Sequence, residues 1–469
     1  MDNELIKKID RLIESDRANI AADVIRLVNI RSVREAPLPG APFGAGPQRL
    51  LEEVLKIGAE RGFVTRDYGT GVVSLAPDEG EIDLGVWAHG DVVHEGIGWN
   101  YDPYNAIEYK GCIIGRGATD NKGQLVAIMR LLQIFKKLGI KLRYNPALFV
   151  GSNEETAMAE VHNTPEKADV KAFLQKYPAP RLSLVPDSGF PVGYGGKGCV
   201  RARIIAKTPW DNIMLEAGKD DSPGKAEAWL SAAHLASAEG CECETCADGT
   251  VKLTANTAPV HCAHPQREGN MITVITNALL SSGMLSEGDA LKAAFLRDVS
   301  VDVAGEMFGI DCKSGIMGDL TLAMVDVRHR DGKPEFGLNI RYPIETTYDR
   351  IAEGLQALCE ARGFEIAGIQ RGTDPYLLKR DWDVIDELTK IANEQCGANS
   401  APYTVGGGTY AHVLPNALVY GMNGCLPPDD FPKGHGSAHG KDESVSLDRL
   451  QRGMRIYARA LLKLNEMEW

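Results

Sequence analysis

Three short apolar runs, Leu84-Gly-Val-Trp-Ala88, Ala147-Leu-Phe-Val150 and Leu182-Ser-Leu-Val185, constrain this chain more than any other feature. Each is too short for a helix and apolar throughout, the pattern of a strand buried on both faces. Between the first two, Leu125, Ile128, Leu132, Phe135 and Leu138 fall on one helical face, which Gly139 closes. Strands alternating with helices imply an α/β core. His89 and Asp91 follow the first run, Glu154 and Glu155 the second, and Asp187 the third. Open α/β sheets bind ligands outside the carboxyl ends of their strands, so these groups are expected to share one crevice.

The rest of the chain organises around that core. Leu12, Ile20, Val24, Leu27 and Val28 recur at helical spacing and predict an N-terminal helix from about Ile9 to Asn29. From Gly198 to about Gly372 the texture changes. Alternating runs such as Val200-Arg-Ala-Arg-Ile-Ile205 and Glu335-Phe-Gly-Leu-Asn-Ile-Arg-Tyr342 are separated by expected helices around Lys225 to Ala238 and Thr347 to Cys359. That pattern predicts an inserted α+β domain over 198–372, with residues 1–197 and 373–469 as the two parts of one catalytic domain. Helical spacing returns at Trp382 to Leu388 and Leu447 to Leu464, with a strand expected at Ala417-Leu-Val-Tyr420.

Composition narrows the function classes. The 469 residues are 44% hydrophobic and 25% charged, enough for more than one core. A net charge of −13 and the lack of a basic run argue against nucleic acid and membrane surfaces as partners. No secretory leader opens the sequence and no apolar run approaches the ~20 residues that span a bilayer, so a cytoplasmic protein is expected. The ten cysteines are then expected as reduced thiols, including the cluster Cys241, Cys243 and Cys246, which lacks a fourth ligand at finger-like spacing.

His89-Gly-Asp91 sets an imidazole two residues from a carboxylate that can orient it. Asp120, in Gly115-Arg-Gly-Ala-Thr-Asp-Asn-Lys-Gly123, reads either as a metal ligand or as a helix cap. Adjacent carboxylates at Glu154 and Glu155 repel unless a cation compensates them or water solvates both. With a metal present, one could ligate it and the other could accept a proton from a bound water, whose pKa zinc lowers to about 7. Asp187 also reads as turn chemistry, and His439 shares a glycine-rich loop with His435. Together the set suits zinc, cobalt or manganese, and five candidate ligands with carboxylates to spare suggest two ions.

The order H-x-D, G-R-G-x-x-D-x-K-G, E-E, P-D and a late histidine before an acid resembles the aminoacylase/carboxypeptidase superfamily of dinuclear zinc metallopeptidases. Leu184-Val-Pro-Asp-Ser-Gly-Phe-Pro191, Asn339-Ile-Arg-Tyr-Pro343, Gly406-Gly-Gly-Thr-Tyr-Ala411 and Ala438-His-Gly-Lys-Asp-Glu443 are similar to the PepV-like dipeptidases within it. The resemblance runs from the N-terminal helix to the C-terminus. It implies a mixed-sheet α/β catalytic domain with an inserted α+β lid, and two divalent ions per chain, zinc first, with manganese or cobalt as alternatives. One ion would be held by His89, Asp120 and Asp187, the other by Asp120, Glu155 and His439. Asp91 would orient His89, and Glu154 would be the general base. His261 would stabilise the oxyanion, with His264 its local competitor, in a segment His261-Cys-Ala-His-Pro265 with Asn270 whose glycine is displaced from the family spacing. Arg341 would grip a substrate carboxylate. Asn212 matches a substrate-binding asparagine, although Leu215 replaces the family's proline, and Asn121 stands where the PepV-like pattern has a second aspartate. The implied activity is hydrolysis of dipeptides, β-alanyl ones among them. An N-acyl amino acid deacylase or carboxypeptidase on the same scaffold, or an inactive metal-binding scaffold protein, are the alternatives. The long insertion implies a monomer that completes its own site.

Overall fold

The computed structural model describes residues 2–162, 168–218, 222–230, 238–257, 260, 262, 264–422 and 435–469. The chain divides into two compact units, Met1–Gly195 with Leu377–Trp469, and Gly196–Tyr376.

The first unit is built on a mixed sheet. Its strands run in the order Val64–Asp67, Val72–Ala76, Pro146–Gly151, Leu84–His89, Leu182–Val185, Ala417–Val419, Gly193–Gly196 and Tyr376–Leu377, with Tyr403–Val405 paired to Gly193–Gly196. Four neighbours in the middle, Pro146–Gly151, Leu84–His89, Leu182–Val185 and Ala417–Val419, are parallel, and the pairs on either side of them turn antiparallel. All three apolar runs are therefore central strands, buried along their whole length. Helix Gly123–Lys137 covers the sheet with Leu125, Ile128 and Leu132, each fully buried and each contributing about 1.5–3 kcal/mol by leaving water. Gly139 ends it at φ +66°. Helix Leu447–Leu464 packs on Gly123–Lys137, on Asp383–Cys396 and on Asn3–Ser15, joining the end of the chain to its beginning.

The second unit is an eight-stranded sheet, antiparallel throughout, in the order Glu242–Thr245, Val251–Asn256, Lys225–Leu230, Ile213–Ala217, Thr321–Arg330, Lys333–Tyr342, Gly198–Ala206 and Phe364–Arg371. Helices Met271–Ser281, Glu287–Val301 and Tyr348–Ala361 contribute to its apolar core.

Three expectations need correction. The N-terminal helix is two helices, Asn3–Ser15 and Arg17–Val28, broken at Asp16, whose carboxylate is held by Asn19 and Arg130. Residues Lys225–Leu230 form a strand rather than the start of a helix. Lys, Ala and Glu favour helices, but Ala226, Ala228 and Leu230 alternate into the core, and strands on both sides supply the ladder. Eight described cysteines are free thiols, whereas Cys396 is disulfide-bonded. The expectation of reduced thiols rested on compartment, which says nothing about which sulfurs the fold brings together.

Candidate metal centre

Parallel pairing sets the carboxyl ends of Leu84–His89, Pro146–Gly151 and Leu182–Val185 side by side, so the loops after them open at one edge. His89 is the last residue of its strand and is buried. Its Nδ1 lies 3.1 Å from the main-chain oxygen of Asp91 and 3.5 Å from Oδ1, which leaves Nε2 as the outward nitrogen. That Nε2 is 3.1 Å from Asp120 Oδ1 and 3.9 Å from Asp187 Oδ2. A second trio meets on the other oxygen of Asp120: His439 Nε2 is 3.2 Å from Asp120 Oδ2 and 3.1 Å from Glu155 Oε2. In each trio, His89 with Asp120 and Asp187, and Asp120 with Glu155 and His439, the donor atoms lie within 4.8 Å of one another. Asp120 belongs to both.

Of the two loop histidines, His439 reaches these carboxylates, while His435 pairs with Asp442 at 2.5 Å. His439 sits at φ +60° and Asp442 at φ +50°, left-handed conformations that non-glycine residues adopt at a cost and that collect at functional sites.

Asp91 does more than face His89. Its Oδ1 and Oδ2 accept the backbone N–H groups of Glu154 and Glu155, 3.0 Å each, at the start of helix Glu154–Glu160. One carboxylate thus fixes the imidazole and both glutamates. Glu154 is buried, and its Oε1 has no hydrogen-bond partner among the described residues; neither does Oε1 of Glu155.

The electrostatics are those of an overfilled anion cluster. Burial and the charge of Asp187 push Glu154 well above the usual carboxylate range, and burial and Asp120 raise Glu155. Burial and the charge of Asp120 bring Asp187 up to about 7. Asp120 goes the other way: burial is outweighed by His439 and His89, which hold it far below the ordinary value. The imidazoles respond in kind. Burial would depress both, but Asp120 and Asp91 raise His89, and Asp120 and Glu155 bring His439 up to about 11. Two unit charges 4 Å apart repel by about 4 kcal/mol at an effective dielectric constant near 20, so four crowded carboxylates call for more positive charge than two imidazoles supply. Divalent cations fit this donor set of nitrogen and oxygen without thiolates, and the partnerless glutamate oxygens are consistent with them.

Several residues that hold the site were not singled out by sequence reasoning. Glu443 is fully buried; its Oε1 accepts the N–H groups of Thr119 and Asp120 at 3.0 Å, and its Oε2 binds Arg116 at 2.6 Å. Arg116 also donates to the main-chain oxygen of His439, tying the loop of one candidate ligand to that of another. Burial brings Glu443 up to about 7 against the opposing pull of Arg116, and burial lowers Lys122 to about 7 where its Nζ donates to Ile30 O. Asp169 accepts Ser152 N–H, Asn153 N–H and the Tyr410 hydroxyl on one oxygen, fixing the turn that leads into Glu154. Arg116, Lys122, Tyr410 and Glu443 stood inside quoted motifs and could have been asked what they hold; Asp169 carried no signal. Asn121 is fully buried, and its amide donates to Pro186 O at 2.9 Å and to Asp187 Oδ1 at 3.3 Å. An aspartate there could not make these bonds while charged.

Arg341, Asn212 and Asn270 belong to the second unit. Arg341, on strand Lys333–Tyr342, is buried, and its Nε has no hydrogen-bond partner among the described residues. Asn212 is exposed, with its N–H on Asp289 Oδ2. Asn270 caps helix Met271–Ser281 and donates to Met324 O. His261 lies outside the described residues, and its competitor His264 is exposed. Cys241, Cys243 and Cys246 join no metal-competent group among the described residues. No described helix is long and apolar enough to cross a membrane.

Comparison with known proteins agrees with this architecture. The protein named "Putative dipeptidase YtjP" of Bacillus subtilis (strain 168) is 26% identical over 484 residues, covering 98% of each chain. The fold is similar to that of human carnosine dipeptidase 1, with a TM-score of 0.59 at 12% identity over 98% of this chain and 100% of that one. It is also similar to the di-peptidase Dug1p of Saccharomyces cerevisiae, with a TM-score of 0.56 at 14% identity over 99% of each. Residues 85–463 match the model of Peptidase family M20/M25/M40, which takes in the sheet ends, the second unit and the late histidine loop. The chain belongs to that peptidase family and is a hydrolase.

Proposed function

We propose that this hydrolase is a dipeptidase that works with two divalent metal ions. His89, Asp120 and Asp187 would hold one and Asp120, Glu155 and His439 the other, with Asp120 bridging. The observation that carries the reading is the pair of three-donor groups sharing Asp120, beside a glutamate left over. When bound, the ions would polarise the scissile carbonyl and lower the pKa of the attacking water.

The chain's own residues supply the rest. Glu154 is next to the donors but in neither trio, buried and raised in pKa, which suits a group that takes a proton from water and returns it to the leaving amine. Asp91 holds the two adjacent glutamates by their backbone, so that one can face the donors while the other stays unligated. Arg341 has the planar, two-pronged donor geometry that grips a terminal carboxylate. The names carried by the Bacillus relative and by two structural neighbours support small peptides as substrates.

The test is metal analysis of protein purified without chelators, then rates on an Ala-Xaa dipeptide against N-acetyl-Xaa. Two ions per chain and faster dipeptide cleavage are expected. Faster deacylation would replace dipeptidase by amino acid deacylase. Fewer than two ions, with no hydrolysis after metal loading, would sink the catalytic reading of the site.

A further inference from the structure

The carboxylates of the two trios are not all held in the same way. Asp120 meets an imidazole on each oxygen, His89 on Oδ1 and His439 on Oδ2, and Glu155 meets His439 on Oε2. Asp187 is held by an amide instead. Asn121 Nδ2 donates to its Oδ1 at 3.3 Å and to the main-chain oxygen of Pro186 at 2.9 Å, while Oδ2 is the oxygen on the side of His89 Nε2, 3.9 Å away. Among the described residues, no other carboxylate of the two trios accepts a bond from an amide or hydroxyl side chain. All of these residues lie in the first unit.

The turn that carries Asp187 is pinned on both sides. Before it, Pro186 O accepts from Asn121; after it, the Tyr403 hydroxyl donates to Gly189 O at 2.7 Å. What is left to set is the rotation of the carboxylate, and Asn121 sets it. Both neighbours of the amide are oxygen acceptors, so Nδ2 has to face them and Oδ1 has to face away. That Oδ1 is buried and has no hydrogen-bond partner among the described residues, which costs about 1–3 kcal/mol. In a fully buried place, where an apolar side chain would avoid that cost, the use of Asn121 lies in its N–H groups.

We infer that Asn121 is a positioning residue for the ion of His89, Asp120 and Asp187: by occupying Oδ1 it leaves Oδ2 as the oxygen that Asp187 offers, and so sets the affinity of that ion without reaching the ion of Asp120, Glu155 and His439. The inference rests on the two-metal reading and deepens it, because each ion then answers to a different neighbour. A neutral amide does this without adding a fifth charge to four crowded carboxylates.

The experiment measures zinc affinity by competition with a chromogenic chelator, which reads binding without turnover. His439→Ala leaves the first trio intact and His89→Ala the second, so each background reports one ion. Asn121→Leu, close to the amide in size but without a donor, is added to both, and every metal-free protein is checked for its melting transition. In His439→Ala protein, Asn121→Leu should weaken the ion by about 10–100-fold, as loss of a bond to a ligating carboxylate does. In His89→Ala protein the change should stay within about two- to threefold, as for independent sites. Equal weakening in both backgrounds would overturn the inference and make Asn121 a general support of the Asp120 turn. No weakening in either would overturn it too, as would His439→Ala protein that takes up no zinc. If Asn121→Leu does not fold, Asn121→Ala takes its place, with the same two comparisons deciding. Wild type that binds fewer than two zinc ions per chain marks failure of the two-metal reading, and the His439→Ala comparison still decides the role of Asn121.

Discussion

The two units bury charge in opposite ways. In the first, Asp120, Glu154, Glu155 and Asp187 crowd the ends of parallel strands with two imidazoles between them; in the second, Arg341 lies buried in its strand with its Nε lacking a hydrogen-bond partner among the described residues. Neither arrangement stabilises a fold, because uncompensated buried charge costs several kcal/mol. Each therefore points to something outside the chain: cations for the acid cluster, an anion for Arg341. The difference teaches that the sign of an unbalanced charge, more than the shape around it, names the ligand class.

The largest way to break that comparison lies inside the acid cluster. Glu154→Ala should retain two metal ions and lose about two to four decades of kcat, as removal of a general base does. Loss of metal instead would move Glu154 among the ligands, and normal turnover would abolish its assigned role. Proton competition comes next. His439 is raised to about 11 and His89 is raised as well, so near neutral pH the metal-free site holds protons that a metal must displace. Metal affinity should fall as pH falls, by about tenfold per unit for each proton released. Affinity independent of pH between 6 and 8 would show that the imidazoles do not ligate.

Asp91→Ala removes the acceptor for the backbone of Glu154 and Glu155 and should weaken metal binding by about 10–100-fold, measured by competition with a chelator. On the basic side, Arg341→Ala should raise KM for neutral dipeptides by about tenfold or more while metal content stays at the wild-type level; a change in metal content would blur the separation between the two regions. The smallest effect concerns the scaffold. A Cβ at Gly151 would lie 1.9 Å from the Tyr410 hydroxyl and 2.6 Å from Asp169 Oδ2, so Gly151→Ala should cost about 1–3 kcal/mol in denaturant unfolding.

Much of this was legible before any coordinates. Uniformly apolar runs could only be central strands, and once they were parallel His89, Glu154, Glu155 and Asp187 had to stand at one edge. What stayed hidden depends on which distant groups meet. Lys225–Leu230 has helix-forming composition and becomes a strand because neighbours on both sides offer ladders. Asp169 looks like any loop acid until Tyr410 and two backbone N–H groups converge on it. Glu443 entered only as the acid at the end of the late histidine motif, yet its carboxylate holds the turn at Asp120.

That bond joins residues 323 positions apart, and it has a consequence for biosynthesis. A ribosome releases His89, Asp120 and Asp187 long before His439 and Glu443, so a nascent chain carries half of a metal trap and none of its fastening. Peptide-cleaving capacity would thereby wait for the segment that fastens the Asp120 turn, and a chain stalled between Asp187 and His439 would lack one histidine of the second trio.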